Sequence, residues 1–251
     1  MFVILFDGGD VMLNKVKKIL AVLCVVAILM TVIGLYFGRL NFALASVYIT
    51  AKKLPLVIID AGHGGFDGGC VGVDGSYEKD INLQISLKLN DLMQQLGFKT
   101  LLVRDNDCSV ETDGTTIRER KKSDIKNRYS YMTNNSDCVY LSVHQNQYSA
   151  SSVKGAQMFY TPDNDKSKQL AQHIQNNVAS YVQADNKRKI KPCTKDVYII
   201  HYAPKEATAV LIECGFLSNY SDLSNLKDAQ YQKKLCFSIC IGVLDWLKDA
   251  T

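Results

Sequence analysis

The sequence predicts an α/β fold: one domain with a twisted, mostly parallel or mixed central sheet of about six strands, helices on both faces, and a transmembrane helix ahead of it. Three observations predict this. Strand-like apolar runs alternate with segments of helical periodicity from residue 56 almost to the C-terminus, the pattern of crossover connections that lay helices over both faces of a sheet. Residues able to do chemistry stand at the ends of several strand-like runs, where open α/β sheets bind their ligands. An N-terminal run, residues 19–37, carries no charge at all.

That run comes first in the chain. As a helix it is about 28 Å long, close to the roughly 30 Å hydrocarbon core of a bilayer. Lys15, Lys17 and Lys18 precede it and Arg39 follows, so the positive-inside rule puts the N-terminus in the cytoplasm and the rest outside. Residues 1–18 then read as a cytoplasmic N-terminus, 19–38 as a transmembrane anchor or signal segment, 39–54 as a linker and 55–251 as the main folded domain. Ala43 and Ala45 offer a signal-peptidase-like site, and cleavage after Ala45 would give a secreted protein. The apolar run exceeds the about 7–15 residues of a signal core, which favours an uncleaved anchor. Met12 is an alternative start, because a basic leader follows it.

Residues 56–60, "LVIID", read as a buried strand. From Glu78, Ile81, Ile85, Leu89, Leu92, Met93 and Leu96 recur at helical spacing, and Gly97 closes the helix. A strand is expected at 98–104, a loop at 105–115, and a charged helix at 116–134 with a thin apolar face. Strands follow at 138–143 and 155–160, then a helix at 165–183, strands at 196–200 and 209–213, and a final helix at 228–248.

Composition narrows the function classes. Charged residues make up 22% of the chain and the net charge is +4, too mild a surplus to argue for nucleic acid. Eight cysteines in an exported chain suggest disulfides. Against that, Cys24 lies in the apolar span, no CxxC occurs, and Cys236 and Cys240 stand four apart in a helix, where geometry opposes a bridge. Most cysteines therefore read as small buried apolar side chains.

The candidate site is assembled from separate segments. His63 follows the first strand inside "VIIDAGHGGFDGG" (57–69), His144 follows the strand 138–143, Glu213 closes 209–213, and Glu78 opens the helix after the glycine loop. With parallel strands all four lie along one edge. Each has a plainer explanation alone: His63 as a turn residue, His144 as a core histidine, Glu78 as a first-turn carboxylate favoured by the helix dipole. Together they favour a metal site, because two histidines and a carboxylate with one position open are a common catalytic zinc set. Glu213 is then placed as a general base. His173 reads as a surface residue and His201 as a loop residue.

"VIIDAGHGGFDGG", "EKDINLQISLKL", "VYLSVHQN" and "AVLIECGFLSN" resemble, in order and spacing, the zinc-dependent N-acetylmuramoyl-L-alanine amidases of bacterial cell walls, over roughly residues 55–248. The resemblance implies that His63, Glu78 and His144 bind Zn2+ and that Glu213 is catalytic. The substrate it implies is peptidoglycan, cut at the amide between the lactyl group of N-acetylmuramic acid and L-alanine. The segments "IKNRYSYMTNN" and "VKGAQMFYTPDND", with a single anchor and no wall-binding repeats, are similar to the membrane-anchored amidases of spore cortex. That implies a role before muramic-δ-lactam formation, in functional partnership with a polysaccharide deacetylase. A vegetative autolysin or a zinc carboxypeptidase are the alternatives. Two positions depart from the family pattern: Ala61 stands where proline is common, and Gln145 where a small residue is common. Arg104 and Arg128 are expected to meet stem-peptide carboxylates, and Asn146 to hydrogen-bond substrate near the metal.

Overall fold

Val57–Ala61 forms the first strand, β1, because "VIIDA" offers a run of β-branched and small residues that is buried on both faces, as strands covered by helices on either side are. The computed structural model describes residues 54–249, together with helical residues at scattered positions between 17 and 34. After β1 come α1 (Glu78–Gln95), β2 (Thr100–Leu102), α2 (Ile117–Thr133), β3 (Val139–Asn146), β4 (Gln157–Tyr160) and α3 (Asp165–Tyr181). Then follow β5 (Lys191–Pro192), α4 (Tyr198–His201), β6 (Thr208–Phe216), α5 (Tyr220–Lys227) and α6 (Ala229–Asp249).

The six strands form one sheet in the order β2-β1-β3-β6-β4-β5. β1 pairs in parallel with β2 and β3, β3 with β6, and β4 with β5, while β4 runs antiparallel to β6. The mixed sheet with helices on both faces matches the expectation. Val139, Leu141 and Val143 of β3 face one core with α1, α3 and α6. Tyr140 faces a second, smaller core with Met132 of α2 and Ile200 of α4. Each fully buried aliphatic side chain contributes roughly 1.5–3 kcal/mol. Alternation along β3 therefore ties the strand to both layers at once.

Three assignments need correction. Residues 196–200 are not a strand: α4 occupies Tyr198–His201, with the N–H of Tyr202 donating to the carbonyl of Tyr198 at 3.0 Å. A short apolar run has no decisive period, and here a helical turn buries Ile200 while leaving Tyr198 exposed. The short β5 and the α5 helix have no counterpart in the expected elements. β3 and β6 also run further than the apolar residues suggested, so His144 lies within its strand rather than after it and Glu213 lies inside its strand rather than at its end. No disulfide forms among the described residues; Cys138, Cys193, Cys214, Cys236 and Cys240 are buried thiols. Among the described residues no helix is long and apolar enough to cross a membrane. The anchor expected at 19–38 lies, apart from those scattered positions, outside the described residues.

Candidate active site

Parallel pairing of β1, β3 and β6 brings three carboxyl ends to one edge. His144 and Glu213 are direct register neighbours across β3 and β6, so their side chains rise on the same side of the sheet. β1 hands over to Gly62, whose N–H donates to the carbonyl of Val143 at 3.0 Å. The chain then turns at His63, which adopts φ 60°, a left-handed conformation uncommon for a residue with a side chain and one that clusters at functional sites. Glu78 enters from the first residue of α1.

These segments converge. His63 Nε2 lies 3.2 Å from Glu78 Oε2, and His144 Nδ1 lies 3.0 Å from Glu78 Oε1. One ligand atom from each of His63, Glu78 and His144 falls within 4.8 Å of the others, so a single ion can touch all three. Two glycines make room. A Cβ on Gly62 would stand 2.2 Å from His144 Nε2, and one on Gly69, at φ 69°, would stand 2.6 Å from Glu78 Oε2. Only a residue without a side chain fits either place.

The Glu78 carboxylate is 1% exposed and well partnered. It accepts from the N–H of Cys70 at 2.8 Å, the N–H of Gln145 at 3.0 Å and the Asn82 amide at 3.2 Å. Burial pushes its pKa up, but the hydrogen bonds and charges of His144 and His63 prevail and hold it well below the usual range. Burial likewise pulls His63 down, while Asp67 and Glu78 outweigh it and raise the imidazole to about 9. The cluster thus favours a positive charge at its centre. Two imidazoles and a carboxylate suit a zinc-like divalent ion in chemistry as well as in spacing.

Asp67 was not singled out from the sequence. Its Oδ2 lies 3.0 Å from His63 Nδ1, and its Oδ1 lies 3.1 Å from Lys121 Nζ on α2. An acceptor at Nδ1 keeps the proton there and turns Nε2 toward the centre, the usual carboxylate–histidine support of a metal site. The signal was available as an acid four residues after the histidine in the glycine loop. Gln145 is also resolved: it points away from the centre, into the face under α1, and donates to Asn82 at 3.1 Å.

Glu213 faces the cluster from β6. Its Oε2 is shielded from water and has no hydrogen-bond partner. Burial and the Glu78 charge raise its pKa, the two histidines lower it, and the balance lies at about 7. Such a carboxyl exchanges a proton near neutrality. His63, His144 and Glu213 open into a cavity of about 310 Å³ whose other walls come from α2 and α4.

The three substrate contacts expected from sequence fare differently. Arg104 is 3% exposed and spends four N–H donors on the carbonyls of Ala61, Gly62, Lys79 and Asn106. Arg128 commits all five donors to Asp60, Asp124 and the carbonyls of Ala61 and His63. Both guanidiniums hold and shape the loop that carries His63. Asn146 gives its side-chain oxygen to the N–H of Gln147 at 2.8 Å, at a register shift where β3 ends. His173 pairs with Asp249, and His201 lies 2.8 Å from the carbonyl of Cys193, both away from the cluster.

A mixed α/β sheet with a His–Glu–His cluster, a shielded acid and an adjoining cavity at its carboxyl edge defines a hydrolase class able to work with a divalent ion. From residues 57 to 245 the sequence matches the family described as N-acetylmuramoyl-L-alanine amidase, and the chain belongs to that family. It is an N-acetylmuramoyl-L-alanine amidase acting on peptidoglycan. The germination-specific N-acetylmuramoyl-L-alanine amidase of Bacillus subtilis is 32% identical over 209 residues, covering 78% of this chain and 83% of that protein. The B. subtilis amidase LytC is 30% identical, over 76% of this chain but only 35% of its own length. Among solved structures, the CwlD amidase of Clostridioides difficile, in complex with the GerS lipoprotein, aligns with TM-score 0.73 and 36% identity, covering 78% of this chain and 99% of that one.

Proposed function

We propose that this amidase is a zinc enzyme that cleaves the amide between the lactyl group of N-acetylmuramic acid and L-alanine, in the cortex of the spore. The convergence of His63, Glu78 and His144 within 4.8 Å, overlooked by Glu213, carries the reading. The two histidines and Glu78 would hold the ion. When bound, zinc supplies a Lewis acid that polarises a carbonyl and acidifies water. Asp67 keeps the His63 ring turned toward the centre. Glu213 accepts the proton of the attacking water and delivers it to the departing alanine nitrogen, a double task suited to an acid poised near neutrality. The cavity along α2 and α4 receives the stem peptide.

The cortex assignment rests on likeness to the germination-specific amidase of B. subtilis and the C. difficile CwlD amidase. It carries further proposals with it: an extracytoplasmic domain tethered by the segment 19–38, a deacetylase acting on the freed muramic acid, and a lipoprotein partner.

Glu213→Gln is expected to retain zinc while kcat on glycan strands falls by roughly 10²–10⁴-fold. His63→Ala is expected to lose zinc as well. Metal content by mass spectrometry and release of stem peptides check both; undiminished cleavage by the glutamine variant would remove Glu213 from its role. Cortex muropeptides of a deletion strain, expected to lack muramic-δ-lactam, test the biological setting.

A further inference from the structure

With Arg104 and Arg128 occupied, the question of what receives the charge of the stem peptide is open again, and the cavity answers it. We propose that Lys121 binds the α-carboxylate of the residue that follows L-alanine, making the enzyme selective for stems in which that carboxylate is free. The proposal rests on the reading of the site given above, and extends it to substrate selection.

Within the cavity wall, Arg128 pairs with both Asp60 and Asp124, and its donors are all spent. His63 and His144 face the centre. Lys121 remains: its ammonium carries three N–H donors, it pairs with Asp67 at 3.1 Å, and half of its side chain is exposed. Ile125 on α2 and Ile199 on α4 line the same cavity, and apolar walls raise the worth of a cation to a carboxylate. Asp196, on the α4 side of the cavity, accepts only from Thr194 at 3.3 Å, which sets the opposite sign across the opening.

Position agrees with charge. Lys121 Nζ is separated from the His63 ring by the Asp67 carboxylate and two hydrogen bonds of 3.1 and 3.0 Å. Two extended residues span at most about 7 Å. A scissile bond at the histidines therefore places L-alanine over Asp67 and the next residue beside Lys121. A stem whose second residue ends in an amide offers no charge there and leaves the ammonium without a substrate partner.

The test uses the full-length enzyme with uncross-linked glycan strands in two forms, with the second-residue α-carboxyl free or amidated. Wild type is expected to favour the free acid by roughly three- to tenfold in kcat/KM, the scale of one partly exposed charge-assisted hydrogen bond. Lys121→Met should bring that ratio to about one, Lys121→Arg should keep it, and Lys121→Glu should invert it. The ratio is the readout because any loss of zinc through the Lys121–Asp67 contact lowers both substrates alike. Equal use of the two strands by wild type, or an unchanged ratio in Lys121→Met, overturns the proposal while leaving the assignment of Glu213 intact. A wild type that cleaves neither strand overturns the site reading and this proposal together.

Discussion

At the scale of residues, the site is defined as much by what supports the cluster as by the cluster itself. Asp67 fixes which nitrogen of His63 faces the centre, and Asn82, Cys70 and Gln145 fix the two oxygens of Glu78. A side chain whose partner is removed keeps its chemistry but has no fixed direction. Asp67→Ala is accordingly expected to weaken zinc about 10–100-fold, with the fold kept, as read by competition against a zinc indicator dye and by circular dichroism. An unchanged affinity would mean that the ring is oriented by something other than Asp67.

At the scale of elements, α2 and β3 are stabilised differently. α2 is strongly charged and buries only Arg128 and Met132, so its start depends on a capping box: Thr116 accepts from the N–H of Glu119 while Glu119 accepts from the N–H of Thr116. Thr116→Ala is expected to cost about 1 kcal/mol. Leu141 of β3 is fully buried in the core under α1, α3 and α6, and Leu141→Ala is expected to cost about 2–5 kcal/mol. Urea unfolding of the two variants compares them directly. The same contrast explains what could be read from sequence. β1, β3, β6 and α1 were legible because apolar runs and a clean helical period mark them, and they carry His63, His144, Glu213 and Glu78. The α4 turn was misread because "VYIIH" has no decisive period, and β5 is two residues of edge strand with no apolar signature. The backbone contacts of Arg104 and Arg128 were not legible for a different reason: an arginine in a sequence does not disclose whether its donors face solvent or backbone carbonyls, since only the folded loop sets carbonyls around it.

At the scale of the molecule, one buried ion pair joins sheet to helix beneath the site. Asp60 of β1 meets Arg128 of α2 and accepts from Ser142 at 2.8 Å. Burial pushes Asp60 up, but Arg128 above all, with His144, Ser142 and Tyr140, pulls it below the ordinary carboxylate value of 3.8. A depressed folded pKa gives stability that is complete above the unfolded pKa, near 4, and is lost as pH falls through the folded value. Unfolding midpoints are therefore expected to decline as pH drops below about 4. Asp60→Asn should be less stable at neutral pH and show a shallower decline; a parallel curve would place the acid sensitivity elsewhere. Arg128 has a second consequence, which it shares with Arg104. Between them the two guanidiniums grip the carbonyls of Ala61, Gly62 and His63, one from the loop after β2 and one from α2. The direction in which His63 leaves the backbone is thus set by the carbonyls of its own loop, each tied to a guanidinium.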